Sequence, residues 1–375
     1  MYVWDDEQGM TKDAQLSKNE KNVYYNLVKY PDITDTELSK KIGLAQSTVT
    51  TIRHRLKEQG FYRNMWVPML SKMGCEVMVV IHTNFNPVVP LGERIEKTRR
   101  TIESFEDLIF SIGEVQKGFS ITISKNYTSV GRINDKRTEL FSSLDLIERE
   151  YPREVVFPFE ISKMYRFFNF YPYMEKHFGL GSGWVGKEEP GFQHGTCHMD
   201  EMDKHVLLAL VENPDEKDDG IGKMLGVSRH TVSAHRKKLQ NMGCISRLRL
   251  PDMRSIGIEL LVLNHIKFNP STAPSMDIGR DLMPLLSPST IFMVSRKFEM
   301  VRLCAYPSYE QYKQDKSHLL TYLHRQKLLS ETPVSRVILL ESAVTIKDLE
   351  IGPLVNKILF EGKDGAQGNG HIRSS

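Results

Sequence analysis

The stretch GLAQSTVTTIRHRL at residues 43–56 returns, 183 positions later, as GVSRHTVSAHRKKL at residues 226–239. Val49, Ile52 and Leu56 recur at the spacing of one helical face, and Val232 and Leu239 repeat it. The leading glycine, Gly43 or Gly226, lacks a Cβ and so suits the left-handed turn that stops a preceding helix, Asp35–Ile42 in the first copy. The outward face carries Ser47, Thr50, Thr51 and His54 in one copy, and His230, Ser233, Ala234 and Lys237 in the other. Small polar side chains followed by basic ones suit a helix entering a DNA major groove, where hydroxyls and imidazoles reach base edges or phosphates. Upstream, Ser17-x-x-Glu20 is a capping box for a helix that ends at Pro31, and Asp200 caps its counterpart. Downstream, Phe61–Val67 and Cys244–Leu250 read as wing strands. Each copy therefore opens as a winged helix-turn-helix.

The repeat extends well beyond this unit. Residues 17–87 align with residues 200–270 without a gap, and about 22 of the 71 pairs are identical, closing on H-x-x-F-N-P at His82–Pro87 and His265–Pro270. Further on, Phe110 answers Phe292 and Tyr127 answers Tyr309 at a shift of 182. A period this long marks a duplicated domain pair, since solenoid units run only about 20–50 residues.

The rest of each copy reads as strand, helix, strand, strand, helix, strand. In the first these are Glu76–Phe85, Gly92–Phe105, Leu108–Val115, Gly118–Ser124, Ser129–Tyr151 and Val155–Tyr165. In the second they are Glu259–Phe268, Met276–Leu286, Thr290–Ser295, Met300–Ala305, Tyr309–Leu329 and Ser335–Ser342. That order is the split βαβ arrangement of a ferredoxin-like fold. The fold class expected is α+β: two winged helix-turn-helix domains and two ferredoxin-like (βαββαβ) domains in tandem. The expected boundaries are an N-terminal tail at 1–16, helix-turn-helix units at 17–66 and 200–249, and ferredoxin-like domains at 67–171 and 250–361. A Gly-rich linker is expected at 172–199 and a disordered tail at 362–375.

Charge placement supports nucleic-acid binding. From Gly220 to Pro251 there are seven Lys or Arg and no acid, whereas Asp200–Asp219 holds eight acids and two bases. From Leu38 to Cys75 there are again seven bases against Glu58 alone. Such a face neutralises phosphates and releases counterions. The expected DNA contacts are Gln46, Ser47, Thr48, Thr50, Thr51, Arg53, His54, Arg55 and Arg63 in the first copy. In the second they are Arg229, His230, Thr231, Ser233, Arg236, Lys237, Lys238, Arg247 and Arg249. Because the outward faces have diverged, the two halves are expected to read unlike half-sites on double-stranded DNA.

A helix-turn-helix with a wing, a connecting strand ending in a glycine (Met65–Gly74) and a βαββαβ domain resembles the Lrp/AsnC feast-or-famine transcription regulators, most strongly at Thr36–Gly60 and V-P-M-L-S-K-M-G, Val67–Gly74. The resemblance covers nearly all of both halves. It implies pairing through the sheets, a homo-oligomer built on the ferredoxin-like domains, and a small-molecule effector at the turn between the second and third strands, here Gly113 and Glu114. The chain departs from that pattern there: Val115-Gln116 replaces the expected aromatic–acidic pair, and the second copy has Arg296-Lys297 with no glycine. Sirohaem decarboxylases resemble the same architecture, which makes a lyase acting on a tetrapyrrole the competing reading. Under it His82, His265, Cys197 and His198 become candidate haem or metal ligands. Otherwise His82 and His265 are strand-end residues beside an Asn-Pro turn.

The chain of 375 residues exceeds what one core usually fills. No apolar run reaches the roughly 18–20 residues of a membrane span, and the polar start at Met1–Gly9 does not resemble a signal peptide. Four cysteines (Cys75, Cys197, Cys244, Cys304) form no CxxC pair, which speaks against a zinc finger or a disulfide framework and for the cytosol. No phosphate loop, zinc-protease motif or nucleophile elbow is present. The expectation is a cytoplasmic, sequence-specific DNA-binding regulator acting as a covalent pseudo-dimer, not an enzyme, with no cofactor and no metal.

Overall fold

The computed structural model describes residues 16–147, 151–181, 195–275 and 282–360. The expected tails fall largely outside these residues, as do the middle of the linker and most of the helix expected at Met276–Leu286.

The first half runs α1 (Lys18–Lys29), α2 (Asp35–Ile42), α3 (Gln46–Glu58), β1 (Tyr62–Pro68), β2 (Val77–Asn84), α4 (Leu91–Glu103), β3 (Leu108–Gly113), β4 (Lys117–Ser124), α5 (Tyr127–Ser143), β5 (Arg153–Pro158), β6 (Ser162–Arg166) and α6 (Tyr171–His177). The second runs α7 (Glu201–Glu212), α8 (Asp218–Leu225), α9 (Arg229–Asn241), β7 (Ile245–Pro251), β8 (Leu260–Lys267), β9 (Thr290–Arg296), β10 (Glu299–Tyr306), α10 (Tyr309–Arg325), β11 (Val334–Leu339), β12 (Val344–Asp348) and α11 (Gly352–Phe360). Local signals set the ends: Ser17–Glu20 and Asp200–Asp203 form capping boxes, and Gly43 and Gly226 close α2 and α8 at φ of 70° and 69°. The architecture is the expected tandem α+β fold.

Four features differ from the sequence reading, and all arise from long-range pairing. The two wing strands pair with each other: β1 and β7 form an antiparallel ribbon from Tyr62↔Pro251 to Pro68↔Ile245. The segment expected to close the first sheet splits, so that β5 stays beside β2 while β6 crosses to the second sheet. Reciprocally, β12 joins β3 of the first, giving the orders β12-β3-β4-β2-β5 and β11-β8-β10-β9-β6. The expected linker begins with α6, where Tyr173 and Met174 are buried and the Tyr173 hydroxyl donates to the Gly257 carbonyl at 3.1 Å. Finally, Cys197 and Cys244 form a disulfide across 47 residues, a pairing that spacing rules for nearby cysteines do not anticipate. The unpaired-cysteine argument for the cytosol therefore lapses. No helix among the described residues is long and apolar enough to cross a membrane.

Strand alternation decides what faces what. On β2, Met78 and Val80 join the core that spans both sheets, whereas Val77, Val79 and Ile81 pack with Val130 of α5. Phe168 bridges the sheets, with ring centroids 5.1 Å from Phe110 and 5.4 Å from Phe292. Even-numbered β2 positions, His82 among them, therefore look toward the second sheet. Odd positions, ending with Thr83, look toward the helices.

Candidate functional site

The outward faces of α3 and α9 carry the expected DNA contacts, and the structure divides them. Gln46, Ser47, Thr48, Thr51, His54, Arg229, His230 and Lys237 are exposed, and their side chains make no hydrogen bond or ion pair among the described residues. The remaining residues are engaged within the chain. Thr50 donates to Asp35 at 2.7 Å, Arg53 pairs with Asp35 at 2.8 Å, and Arg55 pairs with Glu20. Thr231 and Ser228 share the α9 cap at 2.9 Å, and Ser233 helps Arg236 hold the Asp218 carboxyl below its ordinary value. Arg236 grips Asp218 through two bonds of 3.0 and 2.9 Å, and Lys238 reaches Asp200 and Asp203 at 2.8 and 2.5 Å. The wing cations are committed too. Arg63 binds Asp348, Arg247 lies over the Trp66 ring, and Arg249, 4% exposed, donates to Asn64 and to the Leu27 carbonyl. Asp200, Asp203 and His235 converge as metal ligands would, but the Lys238 ammonium already supplies their positive charge.

The turn at Gly113 and Glu114, expected to receive an effector, is already bonded. The Glu114 carboxylate pairs with Lys117 at 3.2 Å and accepts from the Leu339 amide. The Glu114 and Val115 carbonyls accept from Arg94 at 2.5 and 2.7 Å. Arg94 leads inward to a feature that sequence reasoning missed.

Between the first sheet and its helices lies a cavity of about 40 Å³, space for roughly three waters or one carboxylate group. Its walls include Thr83, Phe85, Arg94, Thr98, Ser120 and Arg137, and the exchanged strand contributes Val344 and Ile346. Gly118 is needed beside it, because a Cβ there would fall 2.9 Å from both the Ile112 carbonyl and the Phe85 ring. Arg94 and Arg137 are each 4% exposed, and neither has a carboxylate within ion-pair distance among the described residues. Arg94 stacks on Phe85, with its guanidinium carbon 3.8 Å from the ring centroid. Among the described residues Arg137 donates only to neutral oxygens, Ser120 Oγ at 3.1 Å and Asn134 Oδ1 at 3.0 Å, and its Nε has no hydrogen-bond partner. Burial pulls both guanidinium pKa values down to about 10, with Glu154 opposing this at Arg137. A signal was available: Val130, Asn134, Arg137 and Phe141 stand at i, i+4, i+7 and i+11 of α5, on its buried face.

His82 and His265 meet across the sheet–sheet junction with ring centroids 6.0 Å apart. His82 is 1% exposed, and Arg336 Nε approaches its Nδ1 at 3.4 Å. Burial first, then Arg336, His265 and Arg153, push its pKa down to about 3, so the ring is neutral. His265 Nε2 lies 3.5 Å from Glu299, whose carboxyl His265 and Arg296 hold down at about 2. Cys197 is consumed by the disulfide, which removes it from the candidate ligands, and His198 is exposed.

No family model and no curated protein matches the chain. Among solved structures, the siroheme decarboxylase NirDL is 10% identical over 91% of this chain and 98% of its own, with a TM-score of 0.49. Its complex with an iron-uroporphyrin III analogue matches over the same spans at 9% identity and a TM-score of 0.49. AsnC of E. coli is 15% identical over 38% of this chain and 93% of its own, with a TM-score of 0.29. A Neisseria meningitidis transcriptional regulator solved with L-Met gives 14%, 38%, 91% and 0.31. These regulators each match 38% of this chain. The expectation that the chain is not an enzyme is corrected: two solved structures that match 91% of the chain are of an enzyme, the siroheme decarboxylase NirDL.

Proposed function

We propose that the chain is an enzyme acting on a carboxylate-rich tetrapyrrole, of the siroheme-decarboxylase kind, with its ligand site in the first ferredoxin-like half. The observation that carries this reading is the pair of buried guanidiniums, Arg94 and Arg137, beside a cavity and without a carboxylate partner among the described residues. Burying a cation without a counterion is costly, and a site that keeps such a charge is one built to receive an anion. The cavity is smaller than a macrocycle, so only a carboxylate arm would enter it. A guanidinium that stabilises a carboxylate also holds it back from losing CO2. Arg94 and Arg137 therefore act as positioning residues, anchoring one arm while another reacts. The domain boundaries given above are part of this proposal, with the linker shortened at its start by α6.

Titrating the full chain with an iron-uroporphyrin III analogue tests it by absorption. A saturable shift of the Soret band is expected. A spectrum that stays the sum of its parts counts against the reading.

A second reading, sequence-specific DNA binding with transcription regulation, is favoured by the unpartnered outward set that includes His54, Arg229, His230 and Lys237. The paired cations weigh against it only moderately, because exposed ion pairs are worth about 0–1 kcal/mol and exchange readily for phosphates. If this surface binds DNA, Arg229→Ala with Lys237→Ala should flatten the log–log salt dependence by about two units. An unchanged slope would place both side chains away from the backbone.

A further inference from the structure

The second half shows what the first half's buried guanidinium lacks. At a shift of 182 residues the ranges of β4 and α5 fall on those of β10 and α10, which sets Ser120 against Arg302, Arg137 against Leu319 and Ile133 against Asp315. Each half thus buries a guanidinium in the same seam between strand and helix. The helix supplies it in the first half and the strand supplies it in the second.

Their partners differ. Arg302, 1% exposed, donates to Asp315 Oδ2 at 2.9 Å and to the Leu285 carbonyl at 3.0 Å, and the Tyr306 hydroxyl donates to the same carboxylate at 2.5 Å. Burial works against its charge, but Cys304, Tyr306 and Asp315 outweigh it and the pKa stays above the ordinary value. In the first half Ile133 stands at the Asp315 position. The carboxylate that Arg137 senses, Glu154, is bonded instead to Asn134 Nδ2 at 2.5 Å. Arg137 Nε remains unpartnered beside open volume.

We propose that the Arg94–Arg137 cavity binds one ligand carboxylate per chain, in which the ligand does for Arg137 what Asp315 does for Arg302. The site rests on the tetrapyrrole reading only for what the carboxylate is attached to. A planar carboxylate matches the guanidinium fork and the small volume, whereas a tetrahedral oxyanion is bulkier and does not meet the fork edge-on. Thr83, Thr98 and Ser120 add hydroxyls to the same walls.

Calorimetry and thermal unfolding of the full chain with propionate, and with inorganic phosphate as comparison, test the site. One equivalent of propionate is expected to bind, and more tightly than phosphate. Arg137→Leu should weaken it about 10- to 100-fold, the loss of a charged hydrogen-bonding partner. Ile133→Asp places a built-in carboxylate one turn from Arg137. It should abolish propionate binding while raising the unfolding midpoint, and it keeps the test open if Arg137→Leu does not fold. Two equivalents, a preference for phosphate, or binding indifferent to both variants overturns the proposal. Propionate bound at Arg137 without any tetrapyrrole binding would overturn the enzyme reading and leave this site standing. Tetrapyrrole binding with propionate indifferent to both variants would do the reverse.

Discussion

A chain ending at Ser342 is expected not to fold, in either half. The truncation removes β12, which is the edge strand of the first sheet although it lies at the end of the second copy. It also removes Leu349, Ile351, Leu354, Val355 and Leu359, all buried. At about 1.5–3 kcal/mol for each buried aliphatic side chain, the loss is of order 10 kcal/mol. That is comparable to the whole stability of a typical domain, about 5–15 kcal/mol. Two specific bonds go with it: Lys347 to the Phe105 carbonyl at 2.7 Å, and Asp348 to Arg63 at 2.9 Å. Near-ultraviolet circular dichroism and urea titration would read the outcome. A cooperative transition at the full-length midpoint would mean that the exchanged strand is dispensable.

Acid should destabilise the protein before its carboxylates titrate, through His82. An unfolded histidine takes up its proton near pH 6.5, whereas the folded His82 resists until about pH 3. The unfolded state therefore binds the extra proton between these values. The stability tied to a neutral His82 is fully present above pH 6.5 and is lost as pH falls toward 3. The slope is about 1.4 kcal/mol per pH unit below 6, reaching up to about 3 kcal/mol by pH 4. Glu299, held at about 2, adds its own loss only below its ordinary value of 4.5, so the interval from pH 6.5 to 5 isolates the histidine. His82→Phe should flatten urea midpoints across that interval. If the wild type shows no fall between pH 6.5 and 5, His82 is not held neutral.

The parts of this architecture that depend on neighbours in sequence were legible, and the parts that depend on distant partners were not. Capping boxes at Ser17 and Asp200, left-handed glycines at 43 and 226, and the continuous apolar runs of β2 and β8 announce themselves within a few residues. The duplication followed from identity at a fixed shift. By contrast, nothing in Ser162–Arg166 or Val344–Asp348 says which sheet edge either strand will join, because an alternating strand fits any unpaired edge. The wing strands likewise carry no mark that they pair with each other. The cavity was hidden for another reason. Arg137 looks like one more charge on an amphipathic helix until its spacing from Val130 and Phe141 places it inside. The same habit counted Arg249 as a phosphate contact, although it is buried in the β1–β7 ribbon.

If the proposed function holds, the chain anchors a tetrapyrrole by one carboxylate and removes another as CO2, with a proton replacing the lost group. Incubating the full chain with siroheme, then extracting the pigment and recording its mass, reads this out. Products lighter by whole CO2 units are expected from wild type, with a marked slowing in Arg137→Leu and Ile133→Asp. Pigment recovered unchanged from folded wild-type protein, with the Soret band unmoved, would contradict it.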